Sequence, residues 1–236
     1  LVADALELAK EKIAATDAAI QKANSGRDDL VKKIADMKAL EAPGSEASSA
    51  LFFSDDFSAA RPKEWKILNG DWKYEDGKLV QRRVASFLTM VSLKNHPRNF
   101  RALLRYRTLE PGGVRSIGFS FDFLDTGNSQ DVYTSTGDER QSVQAFHRTG
   151  GKQNYPPAGI VRTPIKLGEL TTVEIEARGQ RLNLRLNGEH KLDYVMPIPR
   201  RDGKFALWVH SGAAEFHKLE ITDLRPTLDD LIAKES

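Results

Sequence analysis

A chain of 236 residues, 40% of them hydrophobic and none of them cysteine, has room for one large domain and a smaller appendage, and it excludes structural disulfides and thiolate metal sites. Its 35 basic and 33 acidic residues leave a formal net charge of +2, which gives no footprint for nucleic acid or a membrane surface. No apolar run approaches the roughly 18–20 residues that span a bilayer. The chain opens at Leu1 on a charged, helical stretch and not on a signal-like one, so it reads as a processed protein or a piece of a longer one.

Residues 1–41 are rich in Ala, Lys, Glu, Asp and Leu, with no aromatic residue and no proline. Leu6, Ile13 and Ile20 recur at every seventh position, with Ala9 and Ala23 on the same stripe, which predicts an amphipathic helix. Ser25-Gly26 offers a left-handed cap and Asp28 a new N-cap. A second helix with Leu30, Val31, Ile34 and Met37 on its apolar face then makes a helical hairpin or broken coiled coil. Its duty is that of a spacer or of an oligomerisation element. Residues 42–50 read as a linker.

From 51 to 224 the character is β, with about thirteen short strands at the spacing of an antiparallel sandwich. Period-two alternation assigns their faces. Val173, Ile175 and Ala177 share one face, and so do Leu182, Leu184 and Leu186. Asn187-Gly188 marks a tight turn. Ile117, Phe119, Phe121 and Phe123 are expected in the core, with Ser116, Gly118, Ser120 and Asp122 opposite. Phe100, Ala102, Leu104 and Tyr106 alternate with Arg101, Arg105 and Arg107. Phe205, Leu207 and Val209 alternate with Ala206, Trp208 and His210. Trp65 and Trp72 read as core anchors, and the pairs Gly112-Gly113 and Gly150-Gly151 as hairpin turns. Residues 225–236 read as a short helical tail.

The stretch Phe53-Ser-Asp-Asp-Phe57, then Trp65, Gly70-Asp-Trp72 and Tyr74-Glu-Asp-Gly77-Lys-Leu79, resembles the opening of concanavalin A-like jelly rolls. It resembles most the laminin-G-like branch of bacterial proteins of unknown function and 3-keto-disaccharide hydrolases. The closing strands, from Val173 through Phe205-Ala-Leu-Trp-Val-His-Ser-Gly212 to Phe216, fit the same pattern. The resemblance implies a two-sheet antiparallel jelly-roll sandwich over 51–224, a carbohydrate partner, a setting among other domains of a longer chain, and a periplasmic or extracellular location. Two departures matter. The Glu-x-Asp-x-x-Glu strand of laminarinases is absent. Where the hydrolase-like branch carries an acid two positions before a glutamine, this chain has Ser142-Val-Gln144.

The expected binding face is therefore a polar sheet face with Gly118 and Ser120 as its floor. Trp208 is assigned to stack on a sugar ring, and Arg105, Asp122, Gln144 and His210 to hydrogen-bond it, with His147 in a nearby loop. For each there is a plainer reading: a solvated basic stripe for Arg105, an ion pair for Asp122, structural or exposed positions for the histidines. Jelly rolls of this group often hold a structural calcium near the paired termini, which assigns Asp56 and Asp223 as oxygen ligands; the alternative is that such aspartates serve turns. The favoured function is non-catalytic saccharide recognition. The rivals are a hydrolase-like enzyme acting on a keto-disaccharide and an assembly module without a ligand.

Overall fold

The computed structural model describes residues 2–40, 49–137 and 141–224, with side chains in the first stretch described for Glu7 and 10–32. Most of the expected linker and the expected helical tail lie outside the described residues. The chain divides into two compact units, Leu1–Ala47 and Ser48–Ser236.

The described residues of the first unit form one helix, α1 (Val2–Leu40), 39 residues long, and not the hairpin expected from Ser25-Gly26. A glycine ends a helix by taking a left-handed φ, and Gly26 does not take one. A glycine inside a helix costs about 1 kcal/mol relative to alanine, which the helix-favouring residues around it absorb. Asp28, freed from capping, meets Arg27 at 3.1 Å. Ile13 and Ile20 are 62% and 52% exposed.

Among its described residues the second unit holds fourteen strands. In chain order these are β1 (Ala50–Asp55), β2 (Trp65–Ile67), β3 (Trp72–Glu75), β4 (Lys78–Gln81), β5 (Leu88–Asn95), β6 (Phe100–Asp125) and β7 (Asn128–Ser135). They continue with β8 (Ser142–Thr149), β9 (Lys152–Asn154), β10 (Ile160–Arg162), β11 (Leu170–Arg178), β12 (Arg181–Leu186), β13 (Glu189–Val195) and β14 (Lys204–Asp223). All pairings are antiparallel.

Two long strands organise the rest. β6 and β14 pair along nearly their whole length, from Phe100↔Asp223 to Phe123↔Lys204. The first half of β6 and the second half of β14 carry one layer. There β11, β12 and β13 extend from β6, while β1 and the β3–β4 hairpin lie beside β14. Their other halves carry the second layer, with β7, β8 and the short β9 and β10 beyond β6, and β5 and β2 beyond β14.

The passage between layers falls where both strands bend. Gly112 sits at φ 127 and Ser211 at φ 49, and the register of the ladder shifts on both sides of Gly212. A Cβ on Gly112 would come within 2.3 Å of the Ser211 carbonyl oxygen. Gly112-Gly113 is therefore a bend inside a long strand, not a hairpin turn. Gly150-Gly151 is the turn between β8 and β9, both residues at positive φ.

The layers meet through the apolar faces that alternation assigns. Phe100, Ala102, Leu104, Tyr106, Ile175 and Leu184 of the first layer, and Phe119, Val132, Leu207 and Val209 of the second, belong to one buried core. Phe53 packs edge-on against Phe205 across the gap, at 5.2 Å between ring centroids, and Tyr106 and Thr134 share a hydrogen bond. Trp65 and Trp72 are core anchors whose indole N–H groups are satisfied. Trp65 donates to Asp55 at 2.7 Å and Trp72 to the Asn69 carbonyl at 2.9 Å.

Alternation also fails near the end of β6. Asp122 has φ 50, and the β6–β7 register breaks between Phe121 and Asp125. This left-handed residue turns the strand over. Phe123 leaves the main core for a small cluster with Val91 and Ala206, and Asp122 leaves the face of Ser120.

Candidate functional site: a cleft on the outer face of the second layer

Strand register places side chains in rows across the outer face of this layer. One row runs Trp208–Gly118–Tyr133–Gln144–Ile160. Beside it runs His210–Ser116–Ser135–Ser142–Arg162. These rows line a cleft of about 450 Å³, rimmed by Phe87, Gln153 and Tyr155. A third row, Ala206–Ser120–Asp131–Phe146, continues the same face but is buried.

The floor is built around an indole lying across a glycine. A Cβ on Gly118 would fall 1.9 Å from Cε2 of Trp208, so the absent side chain is what admits the ring. Trp208 is only 2% exposed and packs against Phe87, Tyr133 and Phe146. Its Nε1 donates to Oδ1 of Asp131 at 3.0 Å. It is a floor plank, not the open stacking platform expected from the sequence.

Asp131 is the buried post beneath it. Ser120 donates to the same Oδ1 at 2.6 Å, Ser129 to Oδ2 at 2.6 Å, and the Arg148 guanidinium reaches Oδ1 at 3.1 Å. Burial raises the carboxyl above its ordinary range, and Arg148 with the three neutral donors only partly offsets this. Arg148 in turn lies 4.4 Å from the Phe87 ring centroid.

The open groups stand above this floor. His210 packs on Phe87 with ring centroids 4.5 Å apart. Burial, then the Arg148 charge, hold its pKa below the ordinary value, so the ring is neutral at neutral pH, and its Nδ1 has no hydrogen-bond partner among the described residues. Burial raises the Tyr133 hydroxyl far above its usual range, which keeps it a neutral donor. Gln144 donates to the Ser142 hydroxyl at 2.7 Å. The Tyr155 ring stacks on Phe146 at 4.6 Å and 16°, is 41% exposed, and donates its hydroxyl proton to Gln153 at 2.6 Å.

Gln144, Trp208 and His210, singled out in the sequence, thus come together. Ser120 lies under the same face, committed to Asp131. Asp122 points elsewhere, into a buried cluster. It takes the Arg200 Nε at 2.9 Å and the Gln130 amide at 2.9 Å, while its own backbone N–H donates to His96 at 2.7 Å. Burial works to raise the Asp122 carboxyl, but the bond with His96 and the charge of Arg200 outweigh it and the pKa is lowered. His147 takes the parity of Val143 and Ala145, opposite to the cleft-side Gln144 and Phe146. Arg105 is exposed on the other layer, between Thr172 and Lys218.

Asp56 and Asp223 do not form a shared ion site. The β1–β14 ladder begins at Ala50↔Asp223 and ends at Asp55↔Leu219, which separates the two by about 17 Å along the strand. Asp56 instead accepts the Ser58 backbone N–H at 3.0 Å and its hydroxyl at 2.7 Å, an Asx turn. Among the described residues no group of three or more His, Asp or Glu is placed to hold a metal ion.

Sequence reasoning missed Tyr133, Tyr155, Arg162, Phe87 and the post Asp131. For Tyr133 and Asp131 the signal was present in the alternation of Asp131, Tyr133 and Ser135. Tyr155 and Arg162 sit in and beside three-residue edge strands, too short for a periodic pattern.

The model of the 3-keto-alpha-glucoside-1,2-lyase-like domain matches residues 52–222. The chain belongs to that family. No curated protein matches it. Among solved structures it is similar to the carbohydrate-binding module CBM66 of Bacillus subtilis, with a TM-score of 0.59 and 19% identity over 66% of this chain and 95% of that one. It is also similar to the Bacillus licheniformis β-glucanase, with a TM-score of 0.58 and 13% identity over 76% of this chain and 100% of that one. A Bacillus subtilis protein of unknown function with a galectin-like fold gives a TM-score of 0.60 and 11% identity over 75% and 98%. At these identities the likeness establishes the jelly-roll sandwich. Members of this fold serve as binding modules and as hydrolases alike, so the choice between those roles rests on the cleft.

Proposed function

We propose that this 3-keto-alpha-glucoside-1,2-lyase-like domain holds a saccharide in the cleft without cleaving it. Tyr155 carries the reading. A sugar presents an apolar C–H face and an edge of hydroxyls; Tyr155 offers a supported, half-open ring, and Gln144, Gln153, Ser116, Ser135 and Tyr133 offer neutral hydrogen-bonding groups around it. No aspartate or glutamate among the described residues lines the cleft, whereas glycoside hydrolysis ordinarily needs a pair. On this reading the domain works outside the cytoplasm, in the periplasm or beyond the cell, where polysaccharides are met. Calorimetric titration of the protein against neutral and acidic oligosaccharides tests it. At least one should bind with a Kd between about 1 μM and 1 mM, be recovered intact, and bind about tenfold or more weakly to Tyr155→Ala. A panel on which nothing binds would refute the reading.

A second reading has one observation in its favour. The neutral imidazole of His210 faces the cleft, and 1,2-elimination from a 3-keto-glucoside needs a base to take the C2 proton as the C1–O bond breaks. Turnover of a 3-keto-glucoside that His210→Gln abolishes would establish this role. An inert wild-type protein would remove it.

A further inference from the structure

The saccharide reading leaves the charge of the ligand open, and the cleft is not electrically neutral. Arg162 is the one side chain in its lining that carries a permanent charge, and no described carboxylate lines the cleft to answer it. It stands at the end of the row that starts at His210, on the edge strand β10, opposite Ser142. Its side chain is exposed, with no carboxylate of the described residues at ion-pair distance. The arginines near this face that serve the fold are otherwise engaged: Arg148 reaches Asp131 at 3.1 Å and Arg200 reaches Asp122 at 2.9 Å. The basic stripe on the other layer is likewise answered at both ends, Arg101 by Glu176 at 2.8 Å and Arg107 by Glu215 at 3.3 Å. Arg162 has no such structural duty and lies close enough to Tyr133 for its charge to act on that hydroxyl. The second cation of the site, Arg148, is buried on the same face, 5.5 Å from the Trp208 ring.

We propose that the saccharide held in this cleft is an acidic one, its carboxylate or sulfate gripped by the Arg162 guanidinium while Tyr155 carries the sugar ring. A guanidinium presents two parallel N–H donors at the spacing of two oxygens of a carboxylate or sulfate, and such charge-assisted pairs are the strong, orienting ones. Tyr133 on β7, one strand beyond β8, adds a neutral hydroxyl to the cleft, whereas the Ser135 hydroxyl already donates to the Val114 carbonyl at 2.8 Å. This inference rests on the saccharide-binding reading and adds the chemical class of the ligand.

The experiment titrates the full chain with three probes of equal length: a galacturonate trisaccharide, a sulfated galactan trisaccharide and neutral galactotriose. The expected result is that at least one acidic probe binds about tenfold or more tightly than the neutral one. Arg162→Gln should reduce that probe to the neutral level, Arg105→Gln on the other layer should leave it unchanged, and raising the salt should weaken it. Which acidic probe wins identifies carboxylate or sulfate as the group recognised. If galactotriose binds as tightly as both acidic probes, or if Arg162→Gln has no effect, the acidic-ligand inference falls while saccharide binding stands. If none of the three binds, and no other member of the wider panel does, both fall together.

Discussion

Gly118 matters for what it lacks. The Trp208 indole fills the space where its side chain would be, so Gly118→Ala should force the ring off its bond to Asp131 at a cost of about 1–3 kcal/mol. A lower melting temperature together with a red-shifted tryptophan emission would report it, and an unchanged emission would mean that the floor tolerates the methyl. Asp122 governs a different cluster. Its carboxylate neutralises Arg200, whose side chain is 1% exposed. Asp122→Ala leaves that guanidinium buried and unpaired, which should destabilise the protein by about 3–5 kcal/mol in denaturant unfolding without altering the cleft groups. A loss below 1 kcal/mol would show that water replaces the carboxylate. Asp122 and Asp131 lie on neighbouring strands, and only Asp122 was read from the sequence as an outward polar position. Only the φ of 50 at Asp122 separates their fates, and nothing in the residue type announces it.

At the scale of elements, the sequence was most legible where a strand alternates cleanly. β11 and β12 bury Val173, Ile175, Ala177, Leu182, Leu184 and Leu186 as their period demands. The turn after β12 has Asn187 and Gly188 at φ 51 and 81, as a tight turn between strands requires. Trp208 and His210 were found for the same reason, since alternation within one strand sets a face, whereas Gln144 came from the resemblance to the hydrolase-like branch. What was hidden depends on partners distant in sequence. Gly112 reads as a turn until Ser211 and Gly212 are known to lie against it. The single helix α1 was hidden by the opposite error, a local stop signal taken as decisive where helix-favouring neighbours outvote it. Trp208 was correctly placed on its face and wrongly taken as open, because burial on an outer face comes from Phe87, Tyr133 and Phe146 on other elements. Gly212→Val tests the bend directly. A Cβ there would meet the Arg115 Cα at 2.7 Å, so the substitution should lower expression of folded protein far more than Gly150→Asn, which sits in an open turn and tolerates the left-handed φ of 57.

For the whole molecule, partly buried histidines tie stability to pH. The pH dependence has a definite sign. Burial is the first cause holding each of His147, His210 and His217 below the ordinary histidine value, so the unfolded chain takes up protons that the folded chain refuses. Stability should therefore fall as pH drops from about 6.5 through the lower folded values. Denaturant midpoints at pH 7.5, 6.5 and 5.5 would check this, and a rise on acidification would contradict it. The pairing of β14 with β1, β4, β5 and β6 has one more consequence, for synthesis. The strand that completes both layers is the last of the described strands to be made. A nascent chain that has reached residue 203 exposes the unpaired margins of four strands, and such margins invite association with other chains. Folding of this domain must wait for nearly its final residues to leave the ribosome, and a chain stalled within β14 is the form most in need of a chaperone.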